Sequence, residues 1–176
     1  QKMKAAPAFP RRLDVTEEAD WDAAIDAVTG RWDRLDVLVA NAGISAGKPI
    51  IDTTLAEWRR VLAVNLDGAF LAVRHGGRGM EEGGSIVVVG SASGIRAAPG
   101  AAAYSTSKAG VGMLVRAAAL ELARRGVRVN AVSPSAVRTP MWQGMPFFRE
   151  LVAEIGEEAA WAEIAQGTPM RRVAEP

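Results

Sequence analysis

The residues of this chain that could do acid–base chemistry lie close together in its middle third. Tyr104 and Lys108 are four residues apart in YSTSK, and Ser91 lies thirteen residues before the tyrosine. Positions i and i+4 share one face of a helix, so the phenol and the ammonium can lie side by side. A positive charge beside a tyrosine favours the phenolate and lowers the tyrosine pKa from its reference value of about 10. Such a tyrosine can exchange a proton with a substrate oxygen to which Ser91 could also hydrogen-bond, which predicts redox chemistry at an alcohol or carbonyl group.

Strands and helices must position these side chains, and the apolar pattern predicts both. Short apolar runs at 35–40, 85–90 and 127–133 are typical of strands that are buried on both faces. Residues 8–15 are interpreted as a further strand, which Pro10 keeps away from the centre of a sheet. Helical periodicity is found at 17–32, 54–75, 101–125, 147–155 and 157–166. Strands that alternate with helices of this length predict an α/β fold with a mainly parallel sheet.

Local signals predict where several of these elements begin and end. Thr54 and Glu57 form a capping-box pattern at the start of one long helix. Gly126, after two arginines, is typical of a helix end. The glycine-rich stretch GGRGMEEGG at 76–84 is expected to be a surface loop. Its glycines precede a strand and do not open a helix, so they are not interpreted as a phosphate-binding loop.

Small and polar residues follow each of the three strong strand patterns. They are Asn41, Ala42 and Gly43 after the first, Ser91 and Ser93 after the second, and residues 133–139 after the third. Ligands of parallel sheets bind outside the carboxyl ends of the strands. Small residues there let a flat ligand approach the backbone closely. The sequence therefore predicts a ligand site at this edge of the sheet.

Composition excludes several classes of protein. The 176 residues are 49% hydrophobic and carry a formal net charge of +1, which predicts one domain over 1–176 and argues against a nucleic-acid or acidic-membrane surface. The chain has no cysteine and a single histidine, His75, so neither disulfides nor a multi-histidine metal site is expected. No apolar run approaches the roughly 20 residues of a membrane span. A cytoplasmic protein is expected.

The motifs, taken in order, resemble those of the short-chain dehydrogenase/reductase family. The matching stretches are LDVT (13–16), NAG (41–43), VNLDGAF (64–70), GSASG (90–94), YSTSK (104–108) and VNAVSPSAVRTPM (129–141). The resemblance implies a Rossmann-like, three-layer α/β/α fold that binds NAD or NADP. It also implies hydride transfer between the nicotinamide and a secondary alcohol or ketone.

The resemblance implies a role for each matching residue. Tyr104 would be the general acid/base, and Lys108 would lower its pKa and bind the nicotinamide ribose. Ser91 would orient the substrate oxygen, and Asn65 would hold a water that links Lys108 to solvent. The residues implied to contact the cofactor are Asp14, Val15, Asn41, Ala42, Gly43, Tyr104, Lys108, Pro134, Val137 and Thr139. Ser135 stands where the family usually has glycine.

The chain departs from the family at both ends. It contains no TGxxxGxG loop, which binds the pyrophosphate in the family, and it stops at MRRVAEP before the family's last strand. A partial chain without the N-terminal strands is therefore expected. The family topology would put the absent first strand between the segment near residue 10 and the strand at 35–40. That absence predicts an exposed apolar sheet edge.

Structural roles compete with the functional ones for several residues. Asp14 could cap a turn or a helix, and Asn65 could face solvent from mid-helix. His75 is expected to interact with the last carbonyls of its helix. Tyr104 and Lys108 could form an ordinary pair on a helix surface. A cluster after Thr139 could cover an apolar, cyclic or steroid-like substrate, or pack an amphipathic helix on the body; it comprises Met141, Trp142, Met145, Phe147 and Phe148.

Three other functions compete with that of an alcohol dehydrogenase. A 3-oxoacyl-thioester reductase would use the same residues. A truncated, non-catalytic chain could keep only the association surface, because in the family the long helices matching 54–75 and 101–125 pair across subunits. A homo-oligomer, dimer or tetramer, is expected for either enzyme. A serine hydrolase is not expected, because the chain's only histidine is poorly placed.

Overall fold

The computed structural model describes residues 8–81 and 83–176, and its helices and strands alternate as predicted. In chain order they are α1 (Glu18–Trp32), β1 (Val37–Ala40), α2 (Leu55–Leu62), α3 (Gly68–Gly79), β2 (Ser85–Val89), α4 (Ala102–Leu122), β3 (Arg128–Val132), α5 (Pro146–Ile155) and α6 (Glu157–Gln166). A π-helical segment, Ala63–Asp67, joins α2 directly to α3. In the ranges described, no helix is long and apolar enough to cross a membrane.

The three strands form one parallel sheet in the order β1, β2, β3. Val39 lies opposite Val87, which in turn lies opposite Asn130. Because the strands are parallel, the segments that follow β1, β2 and β3 all leave the sheet at the same edge. The α/β fold with a parallel sheet is confirmed. The polar segments that follow the three strands lie at one edge of the sheet, as predicted.

The helices α3 and α4 pack on one face of this sheet. Side chains on that face are buried: Leu38, Ile86, Val88 and Val129 join the main core with residues of α1, α3 and α4. The alternate side chains point the other way and are exposed, with Val37 at 60%, Val39 at 59% and Val132 at 56%. Within the described residues β1 is also an edge strand of the sheet, so the predicted exposed apolar edge is present.

Residues 8–15 do not form the predicted strand. They are irregular and end in a turn at Val15 and Thr16. A strand needs a neighbour to pair its backbone groups, and within the described ranges the sheet contains only β1, β2 and β3. The segment is held to α1 by another contact, since the indole Nε1 of Trp21 donates to the Val15 carbonyl at 3.0 Å.

The glycine-rich stretch is also not wholly a surface loop, because residues 76–79 complete the last turn of α3. Packing explains the glycines. A Cβ on Gly76 would lie 2.7 Å from Leu38 Cδ1, and one on Gly79 would lie 2.5 Å from Ile25 Cγ2. The connection that follows is short and includes Glu82, which lies outside the described residues.

The ends of two helices match the local signals. Thr54 Oγ1 accepts from the Glu57 amide at 3.2 Å, and Glu57 Oε2 accepts from the Thr54 amide at 2.8 Å, which confirms the capping box. Lys48 donates to Glu57 at 2.9 Å and, together with Thr54, lowers the pKa of this carboxyl to about 2. After α4, a short 3₁₀ turn ends at Gly126, whose φ of +66° suits glycine.

The expectation for His75 is wrong. Its ring is buried, and Nδ1 lies 2.8 Å from Asp22 Oδ1 of α1 and not near the end of its own helix. The histidine therefore joins α3 to α1.

Candidate active site

The first two turns of α4 carry the predicted tyrosine–lysine pair. Tyr104 is half-buried, and the Lys108 ammonium lies 5.8 Å from the centre of its ring. Lys108 is only 5% exposed, and its Nζ donates to the Val89 carbonyl at the end of β2 at 2.7 Å. The pair is therefore not an ordinary surface pair, because the lysine points to the carboxyl edge of the sheet.

Burial has an electrostatic consequence for Lys108. Removing the ammonium from water lowers its pKa below the usual 10.5, because the charged form loses hydration. Gly43, from the loop after β1, approaches the same atom: a Cβ there would lie 3.5 Å from Lys108 Nζ. The segment after β1 and the end of β2 thus meet at the lysine.

Asn65 is 1% exposed and does not face solvent. Its Oδ1 accepts from the Ile44 amide at 2.8 Å. Its Nδ2 donates to the Ile44 carbonyl at 2.9 Å and to Ser107 Oγ at 3.0 Å. The side-chain amide therefore binds the loop after β1 and helix α4, and its role in holding a water stays a prediction.

Asn65 owes its position to the π-helical segment Ala63–Asp67. A π turn holds one residue more than an α turn, because its hydrogen bonds span five residues instead of four. The side chains after it are rotated relative to those before it. The sequence pattern did not reveal this segment, since 54–75 was interpreted as one continuous helix with no break at 63–67.

Ser91 lies at the junction of three elements. It follows β2 and is half-buried, and its Oγ accepts from the Ser93 amide at 3.1 Å. The neighbouring Ala92 amide donates to the Pro134 carbonyl in the segment after β3, at 2.9 Å. Gly94 touches helix α4 so closely that a Cβ would lie 2.6 Å from the Lys108 carbonyl carbon. The Ser91 loop is thus held between the segment after β3 and helix α4.

A cavity of about 320 Å³ opens beside the ends of β1 and β2. It brings together five predicted site residues, which are Val15, Asn41, Ala42, Asn65 and Lys108. Asp14 does not line this cavity. Its carboxylate accepts from the Thr16 amide at 3.0 Å and the Thr16 hydroxyl at 2.7 Å, and these bonds lower its pKa. The structure therefore shows Asp14 stabilising a turn, and its contact with adenine stays a prediction.

Pro134, Val137 and Thr139 form a separate group. All three are half-buried in the segment after β3 and do not line the cavity. Val137 forms a parallel bridge with Ala174 near the end of the described chain. Ser135 has no left-handed φ, so the replacement of the family's glycine causes no backbone strain there.

The aromatic cluster packs on itself next to this segment. Phe148 and Trp161 are buried with their ring centres 4.7 Å apart, and Trp142 packs against both. Packing between α5 and α6 therefore explains much of the cluster. Met145 also reaches the loop after β1, where its Cβ lies 3.4 Å from the position of a Cβ on Gly47.

Comparison with known proteins agrees with this architecture. A family profile described as enoyl-(acyl carrier protein) reductase matches residues 1–174. A cyclopentanol dehydrogenase from a Comamonas species is 44% identical over 133 residues, which are 74% of this chain and 53% of that protein. A 3-alpha-(or 20-beta)-hydroxysteroid dehydrogenase from Mycobacterium bovis is 41% identical over 136 residues, which are 76% of this chain and 52% of that protein.

Solved structures agree as well. Ligand-free aldohexose dehydrogenase from Thermoplasma acidophilum has a TM-score of 0.83 at 32% identity, covering 93% of this chain and 64% of that one. The chain spans about half the length of the curated relatives that it matches. Its fold, the order of its motifs and the profile match over nearly all of its length lead to one conclusion. The chain belongs to the short-chain dehydrogenase/reductase family.

Proposed function

We propose that this protein transfers a hydride between NAD or NADP and a secondary alcohol or ketone, with Tyr104 as the general acid/base. The observation that carries the proposal is the burial of Lys108 beside Tyr104 at the sheet edge where the Ser91 loop packs on the same helix. Lys108 is buried against the Val89 carbonyl beside Tyr104, and Gly94 holds the Ser91 loop on the same helix. Unrelated surface residues would not be held together by β2, the Ser91 loop and α4.

The residues at this edge fit part of a dinucleotide. The cavity is lined by Ala42 and Asn41, which leave room for a flat group, and by the Lys108 ammonium, a donor suited to ribose hydroxyls. When bound, the nicotinamide would supply or accept the hydride. In the reductive direction, Tyr104 would give its proton to the carbonyl oxygen while Ser91 donates a hydrogen bond to the same oxygen. Oxidation would reverse the proton transfer.

The proposed substrate is an apolar, cyclic secondary alcohol or the matching ketone. Two relatives support this choice by name, since one is called a cyclopentanol dehydrogenase and the other a hydroxysteroid dehydrogenase. Met145 and the half-exposed Phe147 provide apolar surface where the aromatic cluster approaches the loop after β1. An apolar ring would be desolvated by such a surface.

Replacing Tyr104 tests the mechanism. In the full-length enzyme we expect Tyr104→Phe to lower kcat by about 10²–10⁴-fold, the usual contribution of general acid–base catalysis, with cofactor affinity unchanged. Thr106→Ala, at an exposed position on the same helix, is the matched control. Substrates would be cyclopentanol and a hydroxysteroid with NAD or NADP. Near-native turnover by Tyr104→Phe would show that the tyrosine does not have this role.

A 3-oxoacyl-thioester reductase is the second candidate, because the matching profile is described as enoyl-(acyl carrier protein) reductase, an enzyme that also acts on an acyl thioester. The same assay separates the two. Oxidation of NADPH or NADH by acetoacetyl-CoA, with no turnover of cyclic alcohols, would favour the thioester. The opposite result would favour the cyclic alcohol.

Cofactor binding by the 176-residue chain separates an enzyme from a purely structural chain. Fluorescence titration with NADH and NADPH should be run on this chain and on the full-length protein. Binding by the full-length protein, with or without binding by the shorter chain, supports the enzyme. No binding by either would favour the non-catalytic alternative.

We also propose that the protein forms a homo-oligomer through α4. Met113 and Leu120 are 61% and 81% exposed there, and the exposed Ala109 and Ala117 leave room for another helix beside them. Analytical ultracentrifugation of Leu120→Lys should show smaller species than the unmodified protein. Met170→Lys, at another exposed apolar position, should not change the mass of the oligomer.

A further inference from the structure

We propose that Ser107 is a positioning residue that holds the active site together through Asn65, an inference that rests on the proposed function. Ser107 is completely buried and directly precedes Lys108 in α4. Its hydroxyl donates to the Tyr104 carbonyl at 2.7 Å and accepts from Asn65 Nδ2 at 3.0 Å. This hydroxyl therefore uses both its donor and an acceptor position inside the catalytic turn.

The hydrogen bonds continue from Ser107 to the other side of the site. Asn65 binds both backbone groups of Ile44, at 2.8 and 2.9 Å. Ile44 directly follows Gly43, whose Cα faces the Lys108 ammonium. The backbone of α4, the π-helical segment and the loop after β1 are thus connected by one continuous chain of hydrogen bonds.

Ser107 supplies the hydrogen-bond partner of one N–H of the Asn65 side chain. The Asn65 and Ser107 side chains are both excluded from solvent. Without the hydroxyl, one N–H of the Asn65 amide would be buried without a partner, and a buried unpaired donor is more costly than a hydrogen bond is stabilising. The amide would rotate to relieve this cost. Its rotation would weaken the hydrogen bond from the Ile44 amide to Asn65 Oδ1. The distance between Gly43 and Lys108 would then no longer be fixed.

Ser105 offers a matched control on the same helix. It is also buried, and within the described ranges its hydroxyl has no hydrogen-bond partner. Ser105→Ala and Ser107→Ala remove the same atom from the same helix. Only the second breaks the connection to Asn65.

Hydrogen exchange at Ile44 tests the inference without requiring enzymatic activity. We expect Ser107→Ala to speed exchange of the Ile44 amide by about 5–10-fold, the effect of losing one hydrogen bond, when measured by NMR on this chain. Ser105→Ala should leave this rate within about twofold of the original. An unchanged rate in Ser107→Ala, or equal acceleration in both variants, would overturn the proposal.

A kinetic measurement on the full-length enzyme tests the consequence for catalysis. Ser107→Ala should lower kcat by about tenfold or more with KM within about twofold, because catalytic groups move while the substrate pocket keeps its lining. Ser105→Ala should change neither constant. Unchanged kcat in Ser107→Ala would contradict the positioning role.

The two readouts separate this inference from the proposed function. If Tyr104→Phe kept its activity, the proposed function would fail while the Ile44 exchange result still stood. If Ser107→Ala did not fold, the side-chain amide of Asn65 in the unmodified chain would decide. Slow exchange of its two N–H protons supports the network, and exchange as fast as in a free amide contradicts it.

Discussion

At the scale of single residues, Lys108 combines a proposed chemical role with a stability cost. Its ammonium is buried at the end of β2 and has a lowered pKa because it has lost hydration. The unfolded chain therefore binds this proton more tightly than the folded chain does. The cost to stability is complete below the lowered pKa, and it is relieved as the pH rises from there to 10.5.

Lys108→Met should therefore stabilise the fold while removing activity. We expect Tm at pH 7 to rise by roughly 2–4 °C, the shift that about 1 kcal/mol produces in a domain of this size. The gain should shrink towards pH 10, where the folded lysine is increasingly neutral. Lys48→Met is the control, since it removes a half-exposed pair with Glu57 and relieves no buried charge. Calorimetry at both pH values checks this; a gain that grows with pH would contradict the explanation.

The residue pairs that were predictable from sequence are the local ones. Tyr104 and Lys108 meet because α-helical spacing alone brings them together. The partners of Asn65 were not predictable in this way, because Ile44 lies 21 residues away and Ser107 lies 42 residues away. Only the packed elements bring these groups within hydrogen-bond distance.

At the scale of elements, Gly94 sets the distance between the Ser91 loop and α4. A Cβ at this position would meet backbone atoms of Lys108 at 2.6 and 2.7 Å, and a helix backbone cannot move aside as a flexible side chain can. The Gly94 amide also donates to the Ser91 carbonyl at 3.0 Å. A displaced Gly94 would therefore displace Ser91.

Gly94→Ala should accordingly reduce catalysis in the full-length enzyme. We expect kcat to fall by about 10–100-fold, since a shift of about 1 Å in a catalytic group can have this effect. Gly112→Ala is the control, because the space around Gly112 in α4 is open and alanine favours the helix by about 1 kcal/mol. It should keep its activity and gain stability. Equal kinetics in the two variants would show that the close approach is unimportant.

Features set by a local sequence signal were predicted correctly, whereas features that depend on contacts with other elements were not. The capping box of α2 and the terminal glycine of α4 are local features, and both predictions are confirmed. Residues 8–15 are extended in sequence character but have no strand beside them in the described ranges. Residues 76–79 have the composition of a loop, yet they form a helical turn in which Gly76 and Gly79 pack against Leu38 and Ile25.

At the scale of the whole molecule, the sheet of this chain has one buried and one exposed face. Val37, Val39 and Val132 lie on the exposed face, and β1 is an edge strand of the described sheet. An exposed apolar strand at a sheet edge promotes association between chains. The 176-residue chain should therefore associate as its concentration rises.

A charge on this face should reduce that association. We expect Val39→Lys to lower light scattering and keep the chain small in size-exclusion chromatography at concentrations of about 10–100 µM, since inward or edge lysines block strand pairing. Ala153→Lys adds the same charge at an exposed position of α5 and is the control. Equal improvement in both variants would attribute the effect to net charge and not to the sheet.

The wide turn between α2 and α3 makes the active site depend on chain length as well as on residue identity. Deleting one residue from Ala63–Asp67 would let the helix continue in ordinary α-helical register. The side chains of α3 would then rotate by about 100° around the helix axis relative to those of α2. The buried face of α3 and the capping contacts of α2 could no longer be satisfied together. We therefore expect substitutions in this segment, except at Asn65, to be better tolerated than a single deletion, although a deletion would leave a more regular helix.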